Sequence, residues 1–143
     1  MSVPVLEFFF ADWQIVPPGT TTVQLHLTAF VPVAANAGII VFARPTTPNG
    51  SPPAPWLRMG DSMIDNIPNT LPGETFQMPV KKGTDYVIRF QGEAHLLMPG
   101  FQDVAVGFEV KTPQMLLNDY GGVRTAANTR AAGINGDAFL RFA

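Results

Sequence analysis

The chain has 143 residues, of which 46% are apolar and only 14% are charged, and its formal net charge is −2. This is the length of one domain with a continuous core, and the low charge excludes intrinsic disorder, which goes with high charge and low hydrophobicity. The charge balance also excludes nucleic-acid binding by bulk electrostatics, and the lack of cysteine excludes a disulfide scaffold, a cysteine nucleophile and cysteine-based zinc sites.

The N-terminal segment, residues 1–13, has no basic region, and Glu7 and Asp12 bracket its short apolar run. We therefore expect no signal peptide. No apolar run in the chain approaches the roughly 18 residues that a membrane-spanning helix needs, so we also expect no membrane partner. The run VLEFFF has strand length and is the first predicted element.

The next segment, TVQLHLTAFVPV at residues 22–33, alternates apolar and polar residues. A period of two predicts one half-buried strand, with Pro32 near its end, where a lost backbone hydrogen bond matters least. The apolar run GIIVFA at residues 38–43 predicts a further short strand. The predicted core face of the strand at residues 22–33 consists of Val23, Leu25, Leu27, Ala29, Val31 and Val33.

A proline-rich segment, RPTTPNGSPPAPW, follows at residues 44–56 and contains five prolines. Such a loop is extended and partly polyproline-like, so little entropy is lost when it binds. Two interpretations stay open, a surface crossover between sheets and a projecting loop that docks on a partner. For the second, the candidate contacts are Pro53, Pro55 and Trp56.

The segment LPGETFQMPVKKGTDYVIRFQG at residues 71–92 is the strongest local signal. Two alternating strands flank KKGT, and Gly83 is suited to a positive φ, so the pattern predicts a β-hairpin. Tyr86 and Phe90 would pack against Phe76 and Met78. DVAVGFEVK at residues 103–111 predicts another strand with an apolar face.

These elements define a fold class. Seven or eight short strands, separated by turns rich in proline and glycine, predict an all-β protein with a single β-sandwich, jelly-roll or immunoglobulin-like, in residues 1–120. The varied strand lengths disfavour a closed up-and-down barrel.

The C-terminal segment, residues 121–143, differs in composition and begins with the pair Gly121-Gly122. We predict an extended C-terminal arm here, because the glycines interrupt the strand pattern and the sequence does not support a long helix. Its apolar tip requires burial, either on its own sandwich or on a neighbouring subunit. The candidate partner contacts in this segment are Arg124, Arg130, Phe139, Leu140 and Phe142.

Catalytic signatures are not found in the sequence. His26 and His95 lie on different predicted strands without metal-ligand spacing, and MGDSM at residues 59–63 resembles a lipolytic G-D-S block only superficially. Asp61, Asp65 and Asn66 suggest an acidic turn rather than a calcium loop. We therefore predict no catalytic residue, no cofactor, no metal and no enzymatic activity.

Aromatic side chains leave one alternative function open. Trp13, Trp56 and Tyr120 are candidates for stacking on sugar rings, as in a carbohydrate- or ligand-binding β-sandwich module. Core packing explains Trp13 equally well.

In overall character the chain resembles virion structural proteins of tailed bacteriophages, such as capsid decoration (cement) proteins. The resemblance is carried by the cysteine-free all-β pattern, the low charge, the surface rich in Thr, Asn, Ala and Pro, and the end RTAANTRAAGINGDAFLRFA. It implies a protein made in the host cytoplasm and located in the virion. It also implies that the protein binds a lattice such as that of a major capsid protein, as a homo-oligomer, preferably a trimer.

Overall fold

The structure is a computed structural model that describes residues 5–9, 12–29, 33–47, 50–66, 75–96, 103–125 and 131–143. Within these ranges the chain forms ten β-strands, and none of the described segments is a helix long and apolar enough to cross a membrane. The strands are β1 (Val5–Phe9), β2 (Gln14–Ile15), β3 (Thr22–Ala29), β4 (Val33–Pro45), β5 (Leu57–Asn66), β6 (Thr75–Pro79), β7 (Thr84–Leu96), β8 (Asp103–Lys111), β9 (Leu116–Thr125) and β10 (Ala131–Phe142).

The strands form two mainly antiparallel sheets. The six-stranded sheet has the order β1-β10-β7-β4-β5, with β2 pairing with β10 beyond the end of β1, and the four-stranded sheet has the order β6-β3-β8-β9. β1 and β2 run parallel to β10, and the other pairs are antiparallel. The prediction of an all-β, sandwich-like protein is confirmed.

Period-two alternation places one face of each central strand in a common core. On β8, Val104, Val106, Phe108 and Val110 are fully buried, as predicted. Phe108 meets Phe90 of β7 with ring centroids 4.2 Å apart, so this aromatic pair joins the two sheets at the centre of the core.

The predicted strand at residues 22–33 is two strands in different sheets. Val23, Leu25 and Leu27 are buried as predicted, but β3 ends at Ala29 in the four-stranded sheet, and β4 begins at Val33 in the six-stranded sheet. Alternation specifies which face a residue occupies but not which sheet, so two alternating strands joined by a short crossover resemble one long strand. Pro32 lies outside the described residues.

The predicted hairpin at residues 71–92 is also wrong in its pairing. β6 pairs with β3 in one sheet and β7 pairs with β4 and β10 in the other, so the KKGT turn crosses between the sheets. Gly83 has the expected positive φ, 82°, but its N–H donates to the carbonyl of Phe142 rather than across a hairpin. Tyr86, Phe90 and Met78 are buried in the core as predicted.

The prediction of an extended C-terminal arm is wrong, and this correction matters more for the fold. Gly121 and Gly122 lie within β9, and residues 131–142 form β10, which lies between β1 and β7 inside the six-stranded sheet. The burial of β10 alternates without a break, and Leu140 and Phe142 are in the core of their own subunit. The small residues that made this segment look irregular fit an interior strand, where both neighbouring strands supply the backbone hydrogen bonds.

A substitution on β10 tests this assignment. Leu140→Ala should lower the free energy of unfolding by about 2–5 kcal/mol, because it empties a fully buried site. Asn135→Ala, on the outward face of the same strand, should change it by less than about 0.5 kcal/mol. Denaturant melts of both variants measure the difference, and equal small effects would show that β10 does not contribute to the core.

Candidate functional site

The most specific side-chain arrangement on the surface is built around Asp85, at the start of β7. Its side chain is 1% exposed, although it lies on the outward face of the six-stranded sheet. In the register of the sheet, Asp85 is flanked by Arg141 of β10 on one side and by Arg44 of β4 on the other. A buried carboxylate requires charge and hydrogen-bond partners, and these two strands supply them.

Arg141 makes the stronger contact with Asp85. Its Nε donates to Oδ1 at 3.0 Å and its Nη2 to Oδ2 at 3.2 Å, which is the bidentate geometry of a strong arginine–carboxylate pair. The hydrogen bonds to Asp85 raise the pKa of the Arg141 guanidinium above its ordinary value. Thr46 Oγ1 adds a third hydrogen bond to Asp85, at 2.9 Å.

Arg44 contributes charge to Asp85 rather than a hydrogen bond. Its Nε is 3.8 Å from Asp85 Oδ2, which is within ion-pair range but too long for a hydrogen bond, and this buried nitrogen has no hydrogen-bond acceptor among the described residues. The guanidinium instead lies over the ring of Trp56, with Cζ 4.1 Å from the ring centroid. Cation–π attraction to the indole face therefore compensates in part for the missing hydrogen bond.

Two tryptophans cover this cluster from opposite edges of the sheet. Trp13 precedes β2 at one edge and Trp56 precedes β5 at the other, and the four interstrand spacings from β2 to β5 add up to roughly 19 Å. Both indoles lean inward, so that their ring centroids are only 6.4 Å apart and Arg141 lies 4.4 Å from the centroid of Trp13. We call the group Trp13, Arg44, Trp56, Asp85 and Arg141 the Asp85 cluster.

The structure places the predicted partner-contact residues in different environments. Pro53 and Pro55 are exposed, and Trp56 is half-buried in the Asp85 cluster. Phe139 points outward and meets Trp13 edge-on at 5.4 Å between centroids. Leu140 and Phe142 are core residues, which corrects their assignment to a partner surface. The Arg124 and Tyr120 side chains and all of Arg130 lie outside what the structure describes.

A second arginine–aspartate pair lies further along the same two strands. Arg89 Nε donates to Asp137 Oδ1 at 2.9 Å, and hydrogen bonding to Asp137 raises the pKa of the Arg89 guanidinium above its ordinary value. Both side chains are substantially exposed. Together with aromatic residues they line a hollow of about 250 Å³ on the outer face, formed by Phe42, Trp56, Val87, Arg89, Asp137 and Phe139.

His26 and His95 lie in different sheets and do not form a common site. His26 lies on β3 of the four-stranded sheet, and its pKa is lowered by burial and by the charge of Lys111 against a smaller opposite effect of Glu109. His95 lies on β7 of the other sheet, 3.1 Å from Glu93. Among the described residues, no group of three or more His, Asp or Glu side chains is placed to hold a metal ion.

The predicted acidic turn around Asp61 is a strand. Asp61, Asp65 and Asn66 belong to β5, as does the whole of MGDSM. Their backbone pairs with β4, so the turn-capping role that the sequence suggested does not apply. Their side chains lie outside the described set.

No protein-family model matches the sequence, and comparison with curated proteins and with solved structures finds no match either. The role of this face therefore has to follow from its geometry.

Sequence reasoning selected both tryptophans but missed Asp85, Arg44 and Arg141. The available signal was that each charged residue stands at the end of an apolar strand in a chain with few charges. Such residues usually mark a solvated strand end, and only the register of three strands, β10, β7 and β4, brings these three residues together.

The two arginine–aspartate pairs on β7 and β10 form a matched test of burial. Asp85→Asn should lower the free energy of unfolding by about 2–3 kcal/mol, because it leaves partly buried donors without their charged acceptor. Asp137→Asn should lower it by less than about 1 kcal/mol, since its pair is exposed. Equal losses in denaturant melts would contradict the role given to Asp85.

Proposed function

We propose that this chain is a non-enzymatic structural protein of a virion, of the capsid decoration type, that binds a protein lattice such as that of a major capsid protein. The virion assignment rests on the resemblance in composition. The docking mode is supported by one feature of the structure, the way in which the proline-rich loop between β4 and β5 is held.

Both ends of this loop are attached to the Asp85 cluster. At its start, Thr46 binds Asp85 through its hydroxyl, and the Thr46 N–H donates to the carbonyl of Gly83 at 2.9 Å. At its end, Trp56 packs between Arg44 and Trp13. Between these anchors, Pro52, Pro53 and Pro55 are exposed.

An exposed loop with fixed ends and several prolines has few conformations to lose on binding. Association is weakened by the entropy of ordering loops at an interface, so a preordered loop binds more tightly than a flexible one with the same contacts. This is the property required of a small protein that adds stability to a lattice by bridging neighbouring subunits. We propose Pro53, Pro55 and Trp56 as its contact residues.

Cosedimentation with shells of the major capsid protein from the same genome tests this proposal. Pro53→Gly combined with Pro55→Gly should weaken binding by about tenfold, because each change restores roughly 0.5–1 kcal/mol of chain entropy that binding must remove. Pro18→Gly, at another exposed proline, should bind as the wild type does. Absent binding by the wild type, or unchanged binding by the loop variant, would overturn the proposal.

A carbohydrate- or ligand-binding module is the second candidate, and the hollow beside Trp56 favours it. Three of its lining residues are aromatic, and the Arg89–Asp137 pair offers donors and acceptors to hydroxyl groups. The structure brings Trp13 and Trp56 together, but each already has a guanidinium over its ring, which leaves less aromatic surface for a sugar.

A glycan array separates the two candidates. If the hollow binds sugar, the wild type should give a signal that Trp56→Ala abolishes and that the Pro53→Gly/Pro55→Gly variant retains. No signal from the wild type would exclude the second candidate for the glycans tested.

The finer fold class is also a proposal. We favour an immunoglobulin-like over a jelly-roll classification, because jelly rolls are antiparallel throughout whereas β1 runs parallel to β10 at the sheet edge. In the sequence, the β8–β9 hairpin comes between β7 and β10, although it belongs to the four-stranded sheet. This order departs from the usual immunoglobulin order.

A further inference from the structure

The sandwich has two open sides where its sheets end. On one side β1 and β2, the edge of the six-stranded sheet, contact β9, the edge of the four-stranded sheet. On the other side β5 and β6 form the two edges and contact each other. We call these the β1–β9 side and the β5–β6 side.

The large apolar side chains that are exposed within the described part of the chain lie on or next to these two sides. Leu57 and Met59 on β5 are 63% and 66% exposed, and Ile15 on β2 is 63% exposed. Edge strands of soluble proteins are normally protected by charge, proline or a covering element, and a concentration of apolar groups at an edge marks a contact surface. Among the described side chains of the β1–β9 side, Val5, Ile15, Met115 and Leu116 are exposed.

The β5–β6 side contains a groove of about 670 Å³. Its apolar walls include Leu57 and Met59 from β5 and Val80 after β6, and Lys81 and Lys82 lie at its rim. Its described lining includes cations but no acidic residue, and neither lysine forms an ion pair within the part of the chain that the structure describes. An occupant with apolar side chains and a nearby carboxylate is therefore favoured.

The β1–β9 side offers exposed apolar side chains and a nearby carboxylate at the same height along the strands as the groove. The register aligns Ile15 with Arg141, Asp85 and Arg44 across the six-stranded sheet, one residue from the row that ends at Leu57. Asp12, exposed, lies just before this segment. In the other sheet, the register aligns Leu116 with Gln77 of β6, two residues before Pro79 at the groove.

The strand directions also match. β1 and β2 run with β10, and three antiparallel steps from β10 through β7 and β4 make β5 run the opposite way. By the same count β9 runs opposite to β6. A second copy rotated about an axis parallel to the strands keeps these directions, so both sheets would meet their neighbours in the antiparallel orientation.

We propose that the β5–β6 side of one copy binds the β1–β9 side of a second copy, with Ile15, Met115 and Leu116 inserted into the groove beside Leu57 and Met59. The contact joins two different surfaces, so successive copies continue around a ring until it closes. This extends the proposed structural role from the lattice to a second copy of the chain. Its test uses the purified chain alone, so it can fail without affecting lattice binding.

Sedimentation equilibrium of the full chain measures the predicted association. The wild type should have a mass that is a whole multiple of 15.5 kDa and at least twice that value. Met59→Glu, in the groove, and Ile15→Glu, on the opposite side, should each reduce the mass to that of one chain while the far-UV circular dichroism spectrum stays unchanged. Gln91→Glu, exposed on the outer face between the two sides, should leave the wild-type mass unchanged.

Mixing the two single variants identifies the type of interface. Met59→Glu retains an intact β1–β9 side and Ile15→Glu retains an intact groove, so an equimolar mixture should form a dimer of one copy of each and no larger species. A monomeric wild type, an oligomer that either variant leaves intact, or a mixture that stays monomeric would each overturn the proposal.

Discussion

The burial of one carboxylate, that of Asp85, determines the arrangement of the outer face of the six-stranded sheet. A carboxylate that is 1% exposed is stable only if positive charge and donors surround it, and here two neighbouring strands each place an arginine beside it. The arginines in turn favour aromatic faces above them, which the two tryptophans supply. One buried charge therefore links three features of this face: the placement of both arginine side chains, of both indoles and of Thr46.

The same cluster connects segments that the strand ladders alone do not hold. Trp13 belongs to the connection between β1 and β2, and Thr46 and Trp56 bracket the proline-rich loop. Trp13 and Trp56 lie outside the strands, and Thr46 has one backbone hydrogen bond, to the carbonyl of Gly83. Side-chain contacts with Asp85, Arg44 and Arg141 therefore help to determine where these segments lie. Between these fixed ends, the exposed prolines limit the backbone conformations that the loop can adopt.

Much of the fold followed from period-two alternation, and the errors have a common cause. Alternation correctly placed Val23, Phe90 and Phe108 in the core because the faces of a strand are a local property. It failed at residues 22–33 and 71–92, where the partner of each strand is distant in sequence: of the described consecutive strands, only β4–β5 and β8–β9 pair with each other. Asp85 was missed for the same reason, since its partners come from strands that only the tertiary register brings together.

The two proposed contact surfaces share one end of the molecule, and the sheet explains why. Ile15, on the proposed self-association side, is in register with Arg141, and Leu57, at the groove, directly follows Trp56. These two exposed apolar residues are thus next to members of the Asp85 cluster, whose contacts restrict their positions. A rigid contact residue loses less entropy on binding, so the buried charge that organises the outer face also preorders both open sides at that end. Exposed ion pairs contribute little to stability. In a chain with few charges, one buried carboxylate with its arginines therefore orders more side chains than the same charges would order as exposed pairs.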